Sequence, residues 1–485
     1  MTLPKVTDTG IRLVPDLSRV ITRFFVPGRE ESGPGDSRAT PVVDRILALD
    51  EATVEETMAS IDERFGSRHI DLHAEFVAHA ELVASRIGEG VALSAARRLL
   101  LGASFTLEYS VEGAALCNPS AVLHPVQDDS GDASFVVSVR CIGEGHRSSI
   151  GFRTGTVTAG GDVTMDAPSK FCRTAIPQPS THHRSVFHMR LAERGDDNEN
   201  AAAVLDSLPP TFHGQQLEDR IADLMADQAT RNSDQTVANL REIAGLSYSL
   251  TFPSSSQLAE RVLWPHAAPE IHGMEDARFV QFTSDTGERS YLATYTAYDG
   301  HDISQQLLTT EDFVSFTCTP MAGSAALGKG LAIFPRKIGG KYVALSRCDR
   351  ESNSVAFSSD PRCWPTSETI QVPTESWEVL QLGNCGSPIE TDRGWLVLTH
   401  GVGPMRTYAM SAILLDLDDP TRVVARSTEP LLTPTPTNQD GYVPNVVYSC
   451  GALAHNGTLV IPYGVADQSI AIATVSIRDL LDALT

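Results

Sequence analysis

Five short runs of β-branched and aromatic residues recur along the chain, and they constrain its fold more than any other feature. They are Ser134–Arg140, Ser290–Tyr298, Lys341–Arg347, Gly394–His400 and Thr458–Asp467. Each follows turn-forming residues and ends on a polar side chain. The last four begin at 290, 341, 394 and 458, at gaps of 51, 53 and 64 residues. Strand units repeating about every 50 residues are the signature of propeller blades. The first gap, 156 residues, is long enough for one blade plus a helical insertion. If these runs are the inner strands, Arg140, Tyr298, Arg347, His400 and Tyr463 or Asp467 converge at one mouth. The competing arrangement is a β-sandwich whose strands simply end in polar residues.

Two stretches break the β pattern. From about 42 to 103, apolar residues such as Val54, Met58, Ile61, Phe65, Leu72 and Phe76 recur at three- to four-residue steps, and proline is absent from the middle. This predicts two or three amphipathic helices. A second helical pattern covers about 215–243, through Leu217, Ile221, Leu224, Leu240 and Ile243. Residues 28–41 are rich in Gly and Pro and read as a loop.

Composition removes several function classes. The formal net charge is −23, whereas a nucleic-acid partner needs a basic face. No apolar run approaches the length of a membrane span. The N-terminus lacks a signal-peptide layout, so a cytoplasmic location is expected. The eight cysteines form no CxxC pair and are expected to be reduced. His69, His73 and His79 have metal-like spacing but no HExxH glutamate, so surface histidines are expected and no metal is implied. Gly323–Gly330 nearly spells a phosphate-binding loop, but Gly330 replaces the required Ser or Thr, and Pro335 blocks a following helix.

The segment Gly273-Met274-Glu275-Asp276-Ala277-Arg278 is more specific. In an extended chain, adjacent side chains face opposite ways, so Glu275 and Asp276 are expected to do different jobs. Arg278 would share the face of Asp276 and brace its carboxylate. A turn carrying a surface ion pair is the alternative.

This segment resembles the Gly-x-Glu-Asp-x-Arg motif of glycoside hydrolase family 130, the β-mannoside phosphorylases and β-mannosidases. Further similar blocks follow the family's order: Cys117-Asn118-Pro119-Ser120, then Lys329 to Arg347, then Gly394-Trp395 to His400-Gly401, then Leu414 to Pro420. The resemblance covers roughly 115–470. It implies a mainly β fold, a five-bladed β-propeller; the N-terminal helical extension and the helical insertion, read from periodicity, lie outside the core of the family's shorter members. The domains expected are then 1–105 for the extension and 106–485 for the propeller, with the insertion at about 200–245.

The resemblance also implies an inverting glycoside phosphorylase that cleaves β-mannosides with phosphate to give mannose 1-phosphate. Asp276 would be the proton donor, acting through a sugar hydroxyl. Lys329, Arg347, His400 and Tyr408 would bind phosphate, the co-substrate, and no cofactor is implied. Asn118, Arg140, Arg278, Tyr298, Asp299 and Asn384 are the expected oligosaccharide-binding residues. Tyr295 and Tyr298 would either stack on a sugar or pack between blades. One departure is Gln381, where some phosphorylases carry Lys; it favours the alternative of a β-mannosidase, with Glu390, Asp440 or Asp467 as the water-activating base. The Gly143–Ile150 segment has no counterpart in the short phosphorylases, and either shapes the sugar subsites or forms a plain turn. A propeller that binds carbohydrate without catalysis is the third reading. The N-terminal helices would cap the propeller or build a homo-oligomer.

Overall fold

Strands buried on both faces need no polar alternation, and the second strand of each sheet here is buried almost throughout. In this computed structural model, which describes residues 4–27, 38–88, 90–226 and 233–484, the chain is mainly β and divides into two units. The larger unit comprises 1–15, 114–168 and 174–485; the smaller comprises 16–113 and 169–173.

The larger unit contains five antiparallel meanders. The first runs Ala115–Leu123, Ala133–Ile142, Ser148–Val157 and Val163–Met165. The second runs Gly273–Thr283, Arg289–Tyr298, Ile303–Thr310 and Ser315–Pro320. The third runs Ala332–Ile333, Tyr342–Ser346, Asn353–Ser358 and Ser367–Gln371. The fourth begins with Gln381–Asn384 and Ile389–Thr391, both paired to Gly394–Gly403, and continues through Thr407–Leu415 and Val423–Arg426. The fifth begins with Val447–Tyr448 and Leu453–His455, continues through Thr458–Val465 and Ser469–Ser476, and is completed by Thr7–Leu13 from the N-terminus.

Neighbouring meanders touch through their first strands or shared cores. Gly273 bridges Ser148, Thr283 bridges Arg336, Tyr408 bridges Val446, and Ser120 bridges Gly451. Phe334 and Trp395 pack edge to face between the third and fourth.

The five recurrent runs all fall on second strands, not on first ones. In the first two meanders the first strand has no continuous apolar run, because the backbone breaks inside it. Register shifts between Cys117 and Ser120 and between Glu275 and Arg278 mark bulges. At these bulges Asn118 (φ 46°) and Asp276 (φ 56°) adopt the left-handed conformation.

The insertion between the first two meanders starts earlier than 200. Strands Thr181–His183 and Thr211–His213 pair, and helices Arg184–Glu193, Glu199–Leu205, Gly214–Ala226 and Ser233–Ala244 pack around Phe187, Leu191, Val204, Leu217, Leu240 and Ile243. The expected continuous helical stretch 215–243 includes residues 227–232, which lie outside the described residues.

In the smaller unit, four helices rather than two or three share one apolar core: Ala39–Ala48, Glu51–Phe65, Leu72–Leu82 and Ala95–Ser104. Asp50, Asp71 and Ser94 cap three of them by accepting from the backbone N–H three residues on. A strand pair, Val20–Phe24 with Thr106–Ser110, completes the unit, so it extends to Gly113, past the boundary expected at 105, and it is not purely helical. The residues 1–15 expected in this extension belong to the larger unit instead, because Thr7–Leu13 pairs with Ser469–Ser476. Much of the loop expected at 28–41, residues 28–37, lies outside the described residues.

The histidine triplet divides. His73 is an exposed partner of Asp62, as expected for a surface histidine. His69, in the extended segment after Gly66–Arg68, is largely buried against Glu108, and His79, on Leu72–Leu82, is buried against Thr106. Among the described residues, no cluster of His, Cys, Asp and Glu is arranged to hold a metal. No helix among them is long and apolar enough to cross a membrane.

Candidate active site

The broken first strands and the buried second strands together line a cavity of about 190 Å³ in the larger unit. Asn118, Asp276, Lys329, Val446 and Tyr448 come from the first strands or the residues leading into them. Arg140, Arg347, His400 and Asp467 lie at or just beyond the ends of second strands. Gln381, Arg406 and Tyr408 complete the lining. The near phosphate-binding loop contributes here in another way: Ser324–Ala326 is a short 3₁₀ turn, and it delivers Lys329 to the cavity rather than opening an α-helix.

The left-handed turn at Asp276 overrides simple strand alternation. Glu275 and Asp276 therefore meet the same cation. Arg140 donates through Nη2 to Glu275 at 2.5 Å and through Nη1 to Asp276 at 3.2 Å. Lys329 Nζ donates to the other oxygen of Glu275 at 2.6 Å. Glu275 thus holds two cations in place, while among the described residues Asp276 has one long contact from a side chain, Arg140. Arg278 braces Asp276 differently from the sequence expectation. It donates to the backbone carbonyl of Asp276 at 2.8 Å and to the Tyr448 hydroxyl at 2.7 Å, and it is buried away from the cavity.

These contacts set the charge of the acid. Burial alone pushes the Asp276 carboxyl up, but Arg140, Lys329 and Arg278 outweigh it and hold it below its ordinary value. Asp467 has the opposite balance. Burial dominates over the attraction of Arg140, and Asp276 adds repulsion, so its pKa is pushed up to about 6. Its Oδ1 is buried without a hydrogen bond among the described residues.

A second group of lining residues is organised around His400. Burial, then Arg347 and Arg278, drive its pKa well below the usual imidazole value, so the ring is neutral. Nδ1–H donates to the Asn384 carbonyl (3.2 Å), which leaves Nε2 to accept from Arg347 Nη1 (3.1 Å). His400 therefore aims the Arg347 guanidinium without adding charge. Tyr408 stacks parallel on the His400 ring at 6.0 Å, and Tyr448 meets its edge at 4.9 Å. Among the described residues, neither Arg347 nor Arg406 forms an ion pair with a carboxylate, whereas Arg140 and Lys329 do.

The remaining sequence candidates lie outside the lining. Asn384 is buried and ties the third meander to the fourth, its Nδ2 donating to the Gly330 carbonyl at 2.6 Å. Tyr298 donates to the Gly300 carbonyl at 2.8 Å. Asp299 accepts from the backbone N–H groups of Asp302 and His301, which lower its pKa and keep it in its own turn. Tyr295 is fully buried beside Glu270 and Cys318, which is packing between elements and not a sugar platform. Of the three spare acids, Glu390 pairs with Arg336 and lines a different cavity, Asp440 is exposed, and only Asp467 lines this one.

Comparison with known proteins adds an independent line. A family model of glycoside hydrolase family 130, described as beta-1,4-mannooligosaccharide phosphorylase, matches residues 244–485. The chain is 32% identical over 229 residues to a 1,2-beta-oligomannan phosphorylase of Thermoanaerobacter sp. (strain X514), covering 46% of this chain and 75% of that protein. It is 34% identical over 231 residues to a beta-1,2-mannobiose phosphorylase of Listeria innocua, covering 46% of this chain and 63% of the relative. A solved structure of beta-1,2-mannobiose phosphorylase from Listeria innocua, in complex with beta-1,2-mannobiose, aligns with a TM-score of 0.46 at 23% identity, covering 78% of this chain and 93% of that one.

Proposed function

Because the chain belongs to glycoside hydrolase family 130, we propose that it is an inverting phosphorylase that cleaves β-mannosides with phosphate and releases mannose 1-phosphate. The observation that carries this reading is Arg347. It is a cation aimed into the cavity by a neutral histidine, with no carboxylate partner among the described residues, in the same cavity as Asp276. A guanidinium held in that way suits a phosphate, which it can bind by two parallel hydrogen bonds.

The reaction follows from these positions. A phosphate oxygen held by Arg347, with Lys329, Tyr408 and the rim residue Arg406 nearby, attacks the anomeric carbon. The bond to the glycosidic oxygen breaks on the opposite face, as inversion requires. The departing oxygen takes a proton from Asp276, relayed through a sugar hydroxyl. The proton carried by the incoming phosphate restores the balance when the sugar phosphate is formed. In the free cavity the cations keep Asp276 ionised. An arriving dianion offsets that field, so protonation of Asp276 is coupled to phosphate binding. Asn118 and Arg140 are assigned to sugar hydroxyls, and Asn384 and Arg278 to positioning. The five meanders, each touching the next and the first touching the fifth, support a five-bladed propeller for the larger unit.

Incubation of β-mannobioses with and without phosphate tests this. Sugar phosphate that appears only with phosphate is expected; equal release of free mannose in both would sink the reading. One observation favours hydrolysis as a second reading: Asp467, half-ionised near pH 6 and lacking a hydrogen bond at Oδ1, could activate water. In that case Asp467→Ala would abolish phosphate-independent release.

A further inference from the structure

The Gly143–Ile150 segment and the loop before the fifth meander carry a side-chain pair that the chemistry above leaves unused. His146 lies in the turn between the second and third strands of the first meander, and Tyr442 lies just ahead of Val447–Tyr448. The Nδ1 atom of His146 and the hydroxyl of Tyr442 are hydrogen bonded, and the two rings sit 5.8 Å apart at 48°. The turn is specialised for this. Gly145 (φ 67°) and His146 (φ 58°) are both left-handed, and for a non-glycine residue that conformation costs roughly 1 kcal/mol.

The pair stands beside one side of the cavity. Tyr442 packs against the cluster of Ala115, Cys117 and Ile142, directly around the strand that carries Asn118. It is also within electrostatic reach of Arg140 and Asp467, which line the cavity. Arg347, His400 and Tyr408 bond and stack among themselves, whereas Arg140 bonds Asp276 and Glu275. These contacts form two groups within the cavity, with Lys329 joined to Glu275 in the second.

Inversion requires the nucleophile and the leaving group on opposite faces of the sugar. With phosphate at Arg347, the leaving sugar departs past Arg140 and Asp467, toward Tyr442. We infer that His146 and Tyr442 form the subsite that holds the departing pyranose. The tyrosine ring offers an amphipathic face to the sugar's C–H patch. With Nδ1 occupied by Tyr442, the Nε2 of His146 has no partner among the described residues and is left for a sugar hydroxyl. Their mutual hydrogen bond fixes both rings before the sugar arrives, which reduces the ordering cost of binding.

This inference rests on the phosphorolysis reading, and the reverse reaction separates the two. Mannose 1-phosphate and mannose are supplied to the full chain, and the KM of each is measured. In Tyr442→Ala the KM for mannose is expected to rise at least tenfold, while that for mannose 1-phosphate changes less than twofold. His146→Ala, at an exposed position, is expected to raise the KM for mannose at least threefold with an unchanged melting temperature. Tyr442→Phe, which keeps the ring, is expected to fall between wild type and Tyr442→Ala. An acceptor KM within twofold of wild type in His146→Ala, or donor and acceptor KM values that rise together in Tyr442→Ala, would overturn the subsite. If Tyr442→Ala does not fold, His146→Ala and Tyr442→Phe decide the matter. Wild-type protein that forms no sugar phosphate from mannobioses and phosphate overturns the phosphorolysis reading and the subsite with it. Normal wild-type turnover with an unmoved acceptor KM overturns the subsite alone.

Discussion

Arg140 grips both members of an adjacent carboxylate pair, Glu275 at 2.5 Å and Asp276 at 3.2 Å. The unequal grip divides their labour. Glu275 is held by Arg140 and Lys329, while the second Asp276 oxygen accepts no side-chain hydrogen bond among the described residues and Asp276 lines the cavity. Asp276→Asn keeps the shape but removes the transferable proton. Phosphorolysis of mannobiose should fall roughly a thousandfold, within the range of general-acid contributions, with little change in melting temperature. Retained turnover in this variant would show that Asp276 is not the proton donor, and loss of normal wild-type turnover in it excludes a purely carbohydrate-binding role.

Glu275 is a different case. Glu275→Ala strands two cations in a largely buried site. Breaking a buried ion pair by removing one partner costs about 3 kcal/mol or more. Equilibrium denaturation should show a loss of that order together with loss of activity. A variant as stable as wild type would contradict the bracing role.

Arg347 should govern phosphate and not sugar. Arg347→Gln removes a charge-assisted contact worth about 1.5–3 kcal/mol, which corresponds to a KM for phosphate raised about tenfold or more. The KM for mannobiose should stay within about threefold. Initial-rate measurements varying each substrate in turn give both values, and equal changes in the two would argue against this assignment.

Asp467 links the site to stability. Its folded pKa of about 6 lies above the ordinary 3.8. The folded state therefore holds this proton more tightly than the unfolded chain does, and stability falls as pH rises from about 4 to about 6. The penalty is fully present above that window and corresponds to at most about 3 kcal/mol. Asp467→Asn should raise the melting temperature at pH 7.5 and leave it nearly unchanged near pH 4. A pH-independent difference would show that burial of the charge is not the cause.

Gly102 tests the smaller unit. A Cβ built there would lie 1.7 Å from the Phe76 carbonyl oxygen, where Ala95–Ser104 crosses Leu72–Leu82. Backbone cannot yield as a side chain can, so Gly102→Ala should cost about 3 kcal/mol by overpacking. Proteolysis within 38–113, followed over time, should accelerate in that variant.

Much of this was legible because second strands advertise themselves. They are long, β-branched and aromatic, and their ends carry Arg140, Arg347 and His400 into the site. The first strands were not legible as strands. Asn118 and Asp276 sit at left-handed bulges, where alternation fails, so the same local logic that singled out the Glu275–Asp276 pair wrongly predicted opposite faces. Tyr298 and Asp299 follow a readable strand end but turn back on their own loop, a choice fixed by backbone N–H groups that sequence does not display. Asp467 was visible as one acid among three. Only burial distinguishes it from Glu390 and Asp440, and burial is a tertiary property.

The pairing of Thr7–Leu13 with Ser469–Ser476 has a consequence for biosynthesis. Thr7–Leu13 is made long before its partner, so its edge stays unpaired while more than 450 residues emerge, as the Thr9–Ile472 separation of 463 shows. Contacts of such range are slow to close, and an open strand edge invites pairing with another chain in the meantime. A product that stops short of Ser469–Ser476 leaves Thr7–Leu13 without its partner, an open edge prone to association with other chains.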